Sequence, residues 1–584
     1  MKILKVMHQS LSLVAIVALL TACSDGSDGT SGRDGNATSG LVSLLSMSDE
    51  EMGLNCTYGG TRIHSGVDAN SDGILTQEEV DHTEYICSES SSAIAFDGVV
   101  YTAAKNIAGM TELYTNIAGK EIKLAAPALG SEDIDYIQAS PDRTRVAYRQ
   151  GGRIYSVSLL KRSAPIKMYP ESVVHMFVRS YQWSPDGSKL LYIANQDSPS
   201  VSELYTVLAD GSGNTKVNAN LVVNGDVQYA LWAPDGSKIL YQTNRDITGG
   251  YELYTVRADG SEHVKVNGNL VLNGSVINYS WQWAPDSSKI LYMADQDIDA
   301  IYELYTVFPD GSGNVKVNGT LTANGDVHNF NWAPDSSRIV YMANQDNMRD
   351  VELYTALADG SANMKVSSTL VSNGDVYDFE YSPDSSKILY KADQGTDNIN
   401  ELYVVSPDGS NHVKVSGTLI SGGNVENFEW SPDSLKILYK ADQDTDNVFE
   451  LYRVLADGSA NVKMNGMLVE HGAVNYYVWS PDSSTVLYTA YQDVADVNEL
   501  YTVLADGSRN VKVNTTLISG GRVSNLDWHW TADSSKIFYS AHQDTAGVGE
   551  LYSVLADGSE NTKVSGDMPS FGYIRDFILV QPSL

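Results

Sequence analysis

The sequence predicts an all-β protein, a β-propeller of four-stranded blades preceded by a small N-terminal module. A ten-residue string, WAPDSSKILY in its 283–292 form, occurs nine times with small changes, beginning at residues 139, 183, 232, 283, 332, 381, 430, 479 and 530. The steps between copies are 44, 49, 51, 49, 49, 49, 49 and 51 residues. A fixed period of this size marks a solenoid, propeller or array. Within one period, 327–370, VHNFNW alternates, PDSS turns, RIVYMA is apolar, NQDNMRD is polar, ELYTAL is apolar, ADGSAN turns and MKVSSTLV closes the unit. That is four short strands. Pro-Asp suits the first positions of a turn and Asp-Gly is a hairpin signal. Four strands cannot stand alone, so neighbouring units must pack face to face in a ring.

Residues 1–22 read as a secretory signal, with Lys2 and Lys5, an apolar run over 11–20, and then Leu20-Thr21-Ala22-Cys23. The run is too short to remain as a spanning helix, and no later run is long enough to cross a bilayer. The tetrapeptide resembles the bacterial lipobox. That resemblance implies a lipid on Cys23, a place in the bacterial cell envelope and, because Ser24 and not Asp follows, the outer membrane. With Cys23 so used, Cys56 and Cys87 are the two remaining cysteines, and an oxidising compartment pairs them. The formal charge of −34, which becomes −36 once Lys2 and Lys5 leave, argues against nucleic acid or anionic lipid as a partner. Membrane contact then rests on the lipid alone. Residues 23–47 are the acylated N terminus and a Gly/Ser/Asp tether, since 24–40 hold no large apolar side chain.

Residues 48–90 hold the sharpest local motif, DANSDGILTQEE at 68–79, which fits D-x-[DN]-x-[DN]-G-x5-E. Asp68, Asn70 and Asp72 offer side-chain oxygens, Ile74 its carbonyl, Thr76 the ninth position, and Glu79 a bidentate carboxylate. Oxygen-only ligation suits Ca2+. A metal-free polar turn is the other reading. Thr76 to Glu79 also forms a capping box, which predicts a helix from Gln77 towards Ile86. No helix precedes the loop, so the site resembles the half-hands of dockerins. Cys56 and Cys87 bracket it, and a disulfide closing roughly 30 residues contributes on the order of 3 to 4 kcal/mol. The pattern from Cys56 through Gly59, Gly60 and Gly66 to Cys87 resembles a small module that follows the tether in bacterial surface lipoproteins.

Residues 91–584 carry the repeat. W-[SA]-P-D-[GS]-S-K-I-L-Y followed by E-L-Y-x-V-x-x-D-G-S resembles the TolB-type propeller repeat, which implies that the first strand of each unit lines a central channel. AFDGVVYTAA at 95–104, leading to Glu112-Leu113-Tyr114, adds a degenerate first unit to the nine turns, giving about ten. YIRDFILVQP at 573–582 imitates an innermost strand with nothing after it, so it closes the ring on the first unit. One wide ring is favoured over two rings or outlying units. VINYSWQW (276–283) and VSNLDWHW (523–530) each carry two residues more than VHNFNW. An insertion of two keeps side chains on their faces, which makes Trp281 and Trp528 core residues or, as the alternative, stacking platforms.

The residues point to binding more than to chemistry. No G-x-S-x-G elbow occurs, and the ten histidines are scattered without metal-ligand spacing. The Glu that precedes Leu-Tyr in unit after unit reads as a blade part, and Asp295, Asp297 and Asp299, like Asp442, Asp444 and Asp446, as solvated loops. Recognition should sit where copies differ, in the pairs that follow Val in the first strand. Tyr229, Asn278, His328, Asn329, Tyr377, Asp378, Glu426, Asn427 and Tyr476 are the candidates, a polar and aromatic mouth suited to an envelope protein, peptide or glycan. The expected function is a non-enzymatic, lipid-anchored binding propeller. The alternatives are an enzyme on acidic polysaccharide, since some TolB-like propellers resemble oligogalacturonate lyases, and a calcium-dependent surface adhesin.

Overall fold

A computed structural model describes residues 42–50, 60–70, 75–87, 98–107, 109–117, 119–127, 132–160, 163–173, 176–222, 225–244 and 250–581. The chain forms two compact units.

The smaller unit is a three-stranded sheet of β1 (Val42–Glu50), β2 (Gly60–Asp68) and β3 (Val80–Cys87) in that order. β1 and β2 are antiparallel, Val42 opposite Asp68 and Glu50 opposite Gly60. The first strand begins inside the segment assigned to the tether. The helix expected from Gln77 is a single 3-10 turn, Gln77–Glu79, and β3 follows at once. The start signal is sound, but VDHTEYIC is rich in β-formers and joining the sheet outweighs propagation of an isolated helix. Gly66 is required here by close approach, because a Cβ on it would lie 1.8 Å from the Glu79 carbonyl oxygen.

The larger unit is a propeller of ten four-stranded blades. The first strands of blades 2 to 10 are Ile134–Ala139, Val178–Trp183, Val227–Trp232, Val276–Trp283, Val327–Trp332, Val376–Tyr381, Val425–Trp430, Val474–Trp479 and Val523–Trp530. Blade 1 takes its first strand from the other end of the chain. Tyr573–Val580 pairs antiparallel with Gly98–Ile107, Gly98 opposite Val580 and Ala104 opposite Tyr573, and so closes the ring. First strands of neighbouring blades touch one another, as in blades 9, 10, 1 and 2, which places them innermost.

Ten apolar clusters follow the blades round without a gap, each shared by two consecutive blades. Between blades 6 and 7, Val340, Met342 and Leu353 meet Val376, Phe379, Ile388 and Tyr390. The tenth cluster joins Phe538 and Leu551 of blade 10 to Val99, Tyr101 and Phe577 of blade 1. Each fully buried side chain of this kind contributes about 1.5–3 kcal/mol.

The repeated polar residues are consumed inside the blades, as blade 6 shows. Tyr341 stacks on Tyr354 with centroids 5.5 Å apart. Tyr354 donates to Glu352 at 2.8 Å, and Lys365 binds the same carboxylate at 2.7 Å. Tyr341 donates to Gln345 at 2.8 Å. Blades are also joined through their turns, because the Asp335 N–H donates to Ser385 Oγ of the next blade at 3.0 Å. Ser385 sits at φ +62°, as do its equivalents in neighbouring turns, and that hydrogen bond offsets the backbone strain. The Asp-rich loops serve the same frame. Asp295 accepts from the N–H groups of Ser275 and Ala300, while Asp297 pairs with Lys316.

Candidate functional site at the channel mouth

The antiparallel order within each blade puts the starts of the innermost strands and the loops between second and third strands on one rim. The PDSS and ADGS turns lie on the other. At the first rim, the innermost strands of blades 3 to 10 open with a buried valine, Val327 in blade 6. Val327 lies opposite Ala343 but Asn329 lies opposite Met342, so His328 is the extra residue of a β-bulge. Blades 4, 7, 8 and 9 repeat it. A regular strand would turn one member of each pair into a blade interface, whereas the bulge re-aims it. Both members therefore reach the channel: His328 and Asn329, Tyr377 and Asp378, Glu426 and Asn427 are all exposed.

The other sequence candidates fall on the same rim. Asn278 and Tyr476 are exposed and Tyr229 is half-buried. Tyr229 packs edge-on to Tyr279 at 5.3 Å and lies 5.5 Å from Trp281. His328 Nε2 is 2.6 Å from Asn344 Oδ1, Lys440 pairs with Glu426 at 3.0 Å, and Tyr377 donates to Asp393 at 3.4 Å. In blades 5 and 10 the two added residues enlarge the bulge. Trp281 stands opposite Tyr292 where Phe330 stands opposite Tyr341. Trp281 is 5 % exposed and Trp528 8 %, so both are core residues.

Sequence reasoning missed two groups. Tyr279, inserted at φ +61°, is 65 % exposed, and Tyr136 of the degenerate blade 2 is also exposed. Arg149 lies 5.5 Å from the Tyr136 ring and 5.8 Å from that of Phe177, and its guanidinium is held by Asp135 at 2.9 Å. The second group lies deeper. Glu380 and Glu429 reach across to the next blade and accept from the backbone N–H of Trp430 at 3.4 Å and Trp479 at 3.0 Å. Gln138 and Gln182 do the same for Trp183 and Trp232. Burial pushes both carboxyls up to about 7, and Glu429 is raised further by Glu380. The signal in the sequence was the unrepeated acid in FEY and FEW. Acids prevail along the innermost strands. Arg179 and Arg575 are tied to Asp226 and Asp133, while Asp378, Glu380, Glu429, Asp527 and Asp576 also lie on these strands, and burial raises the carboxyls of Asp527 and Asp576 as well.

In the smaller unit Asp68 is buried, Thr76 exposed and Glu79 half-buried. Glu79 Oε1 accepts from the N–H groups of Ala69 at 3.0 Å and Asn70 at 3.3 Å, and Oε2 from Thr76 N–H at 3.0 Å and Oγ1 at 2.8 Å. These donors, Thr76 first, hold its carboxyl below the usual range. The two ends of the loop are thus together, and the donor set of Asp68, Asn70, Thr76 and Glu79 fits a hard cation. Among the described residues no group of three His, Cys, Asp or Glu could hold a metal. Asp72 and Ile74 lie outside the described residues, as do Cys23, Cys56 and the side chain of Cys87.

Residues 137–378 match the TolB beta propeller domain. Residues 43–87 match a domain of unknown function, DUF7151. No curated protein matches the chain. Among solved structures it is similar to Porphyromonas gingivalis dipeptidyl peptidase 4, at 12 % identity over 64 % of this chain and 58 % of that one, TM-score 0.45. It is also similar to a eukaryotic initiation factor, at 14 % identity over 70 % and 94 %, TM-score 0.44, and to an oligogalacturonate lyase in complex with manganese, at 15 % identity over 72 % and 96 %, TM-score 0.32. The chain thus spans 58 % of the length of the peptidase.

Proposed function

We propose that this chain is a lipid-anchored cell-envelope propeller that binds an envelope protein, peptide or glycan at its channel mouth, without catalysing a reaction. The observation that carries the reading is the contrast within each blade. Repeated polar residues are used up in the frame, whereas the bulged pairs differ from copy to copy and in blades 6, 7 and 8 stand exposed in the channel. Asp378 among them and, once ionised, Glu380 and Glu429 repel a polyanionic sugar chain, which weighs against the lyase-like alternative. The LTAC string at 20–23 supports acylation of Cys23. Calcium at Asp68, Asn70, Asp72, Ile74, Thr76 and Glu79 would stabilise the smaller unit alone.

The test is a crosslinking pull-down of the acylated protein from its own envelope, beside a variant with Tyr377, Asp378, Glu426 and Asn427 all replaced by Ala. The variant should stay folded and lose the captured partner. Equal capture by both proteins would place recognition on the loops or the outer rim.

A further inference from the structure

The wall between blades 9 and 10 is unlike any other joint in the ring. Tryptophan ends the innermost strand in blades 3 to 6, 8 and 9, and Trp183, Trp232, Trp283, Trp332, Trp430 and Trp479 are all buried. Trp530 of blade 10 is only half-buried. Two local differences explain it. At four joints a long polar side chain of the preceding blade lies over the tryptophan, Gln138, Gln182, Glu380 or Glu429 reaching its backbone N–H, and at the joint of blades 4 and 5 Leu231 packs into the cluster that holds Trp283. Blade 9 offers Val478 instead, too short to cover the indole and without a polar atom. Blade 10 also carries the lengthened strand, which sets Trp528 where most blades hold a smaller residue.

The result is a cleft of about 520 Å³ open to the channel. Tyr476 and Val478 of blade 9 face Trp528 and Trp530 of blade 10 across it, with His529 at its edge. None of its lining residues carries a carboxylate, an ammonium or a guanidinium, in a chain of net charge −34. Lys436, above the Trp479 ring at 5.8 Å, is paired with Asp433 at 2.5 Å. The buried indole nitrogens of Trp479 and Trp530 have no acceptor in the protein, a property they share with Trp232, Trp281, Trp283 and Trp332 elsewhere in the ring.

We infer that this cleft binds one neutral hexopyranose unit of a glycan. A pyranose has two C–H faces that pack on aromatic rings and a rim of hydroxyls. Here exposed Tyr476 and half-buried Trp530 supply the flat apolar surface, and the exposed His529 ring at the edge both donates and accepts. The uncharged lining leaves a uronate without a counter-charge, and the acids elsewhere in the channel oppose it. The site goes beyond the mouth reading and holds whichever partner the mouth takes, since it lies further along the strands and shares only Tyr476 with it.

The probes are cellohexaose, maltohexaose and hexa-N-acetylchitohexaose, with hexagalacturonate and tryptophanamide as contrasts, read by tryptophan fluorescence and calorimetry on the full chain. At least one neutral oligosaccharide should bind and change the fluorescence. Val478→Gln, which introduces the longer side chain found over Trp183 and Trp232 and fills the cleft, should weaken that binding at least ten-fold while leaving the thermal transition in place. Trp530→Ala should do the same. Leu160→Ala, at an exposed position of blade 2 outside both sites, should leave sugar binding unchanged. The inference is overturned if no neutral sugar binds, if Val478→Gln and Trp530→Ala bind as the parent does, or if hexagalacturonate or tryptophanamide binds as well as the neutral sugars.

Discussion

Phe577→Ala asks whether the ring melts as one body. Phe577 is 4 % exposed and belongs to the cluster between blades 10 and 1, while its strand also sends Val580, 2 % exposed, into the cluster between blades 1 and 2. Emptying that site should cost about 3 to 5 kcal/mol. The entropy of unfolding near the midpoint is roughly 2.1 cal/mol/K per residue, so a propeller of roughly 480 residues unfolding in one step gains about 1 kcal/mol/K. The midpoint should then fall by only about 3 to 5 °C. Were the closing blade an independent unit of roughly 50 residues, the same loss would move its own melting by tens of degrees and split it off as a small early transition. Differential scanning calorimetry distinguishes the two. One main transition with a shift of a few degrees is expected. A separate early step would refute ring-wide cooperativity, and an unchanged midpoint would refute the placement of Phe577 in the seam.

Glu380→Gln with Glu429→Gln should flatten the pH dependence of stability. Both carboxyls are raised from 4.5 to about 7 by burial, so their contribution is full below pH 4.5 and is lost as pH rises towards 7, by at most about 3 kcal/mol each. Denaturant midpoints at pH 5 and 8 should differ less in the double variant than in the parent, and an equal difference refutes the assignment. Gly66→Ala puts a methyl group 1.8 Å from the Glu79 carbonyl, so limited proteolysis should open residues 48–90 while the propeller transition stays put. Asp68→Ala or Glu79→Ala should do likewise, and indifference of the parent to chelator would remove calcium from the loop. Trp332→Ala should destabilise by about 3 to 5 kcal/mol, whereas alanine at Tyr377, Asp378, Glu426 and Asn427 together should change stability little. Cys23→Ser should release the protein from membrane fractions, and continued pelleting would refute acylation there as the anchor.

The ring was legible because one pattern recurs nine times, and even the closing strand announced itself, since YIRDFILVQP has the pattern of an innermost strand. The repeated Glu before Leu-Tyr was rightly read as frame, for Lys365 and Tyr354 occupy Glu352. The bulge was not legible. It depends on register between two strands, and Val327, His328 and Asn329 read as plain alternation until Ala343 and Met342 are set opposite them. The 3-10 turn at Gln77–Glu79 escaped for a related reason, because a capping box signals where a helix starts and not whether it continues. The cleft beside Trp530 escaped too. Its cause, Val478 in place of Gln or Glu, matters only through a side chain contributed by the next blade.

The bulge has a consequence for how such a chain can change over generations. In blades 6, 7 and 8 it presents two adjacent exposed positions outside the apolar joints, and it does so at the same height on each. Substitutions there are nearly silent in stability, so a new surface can be composed around the mouth one blade at a time without reopening the question of folding. Two cousins of this chain could share every joint and turn yet hold different partners, and their sequences would agree everywhere except in the two letters after that first valine.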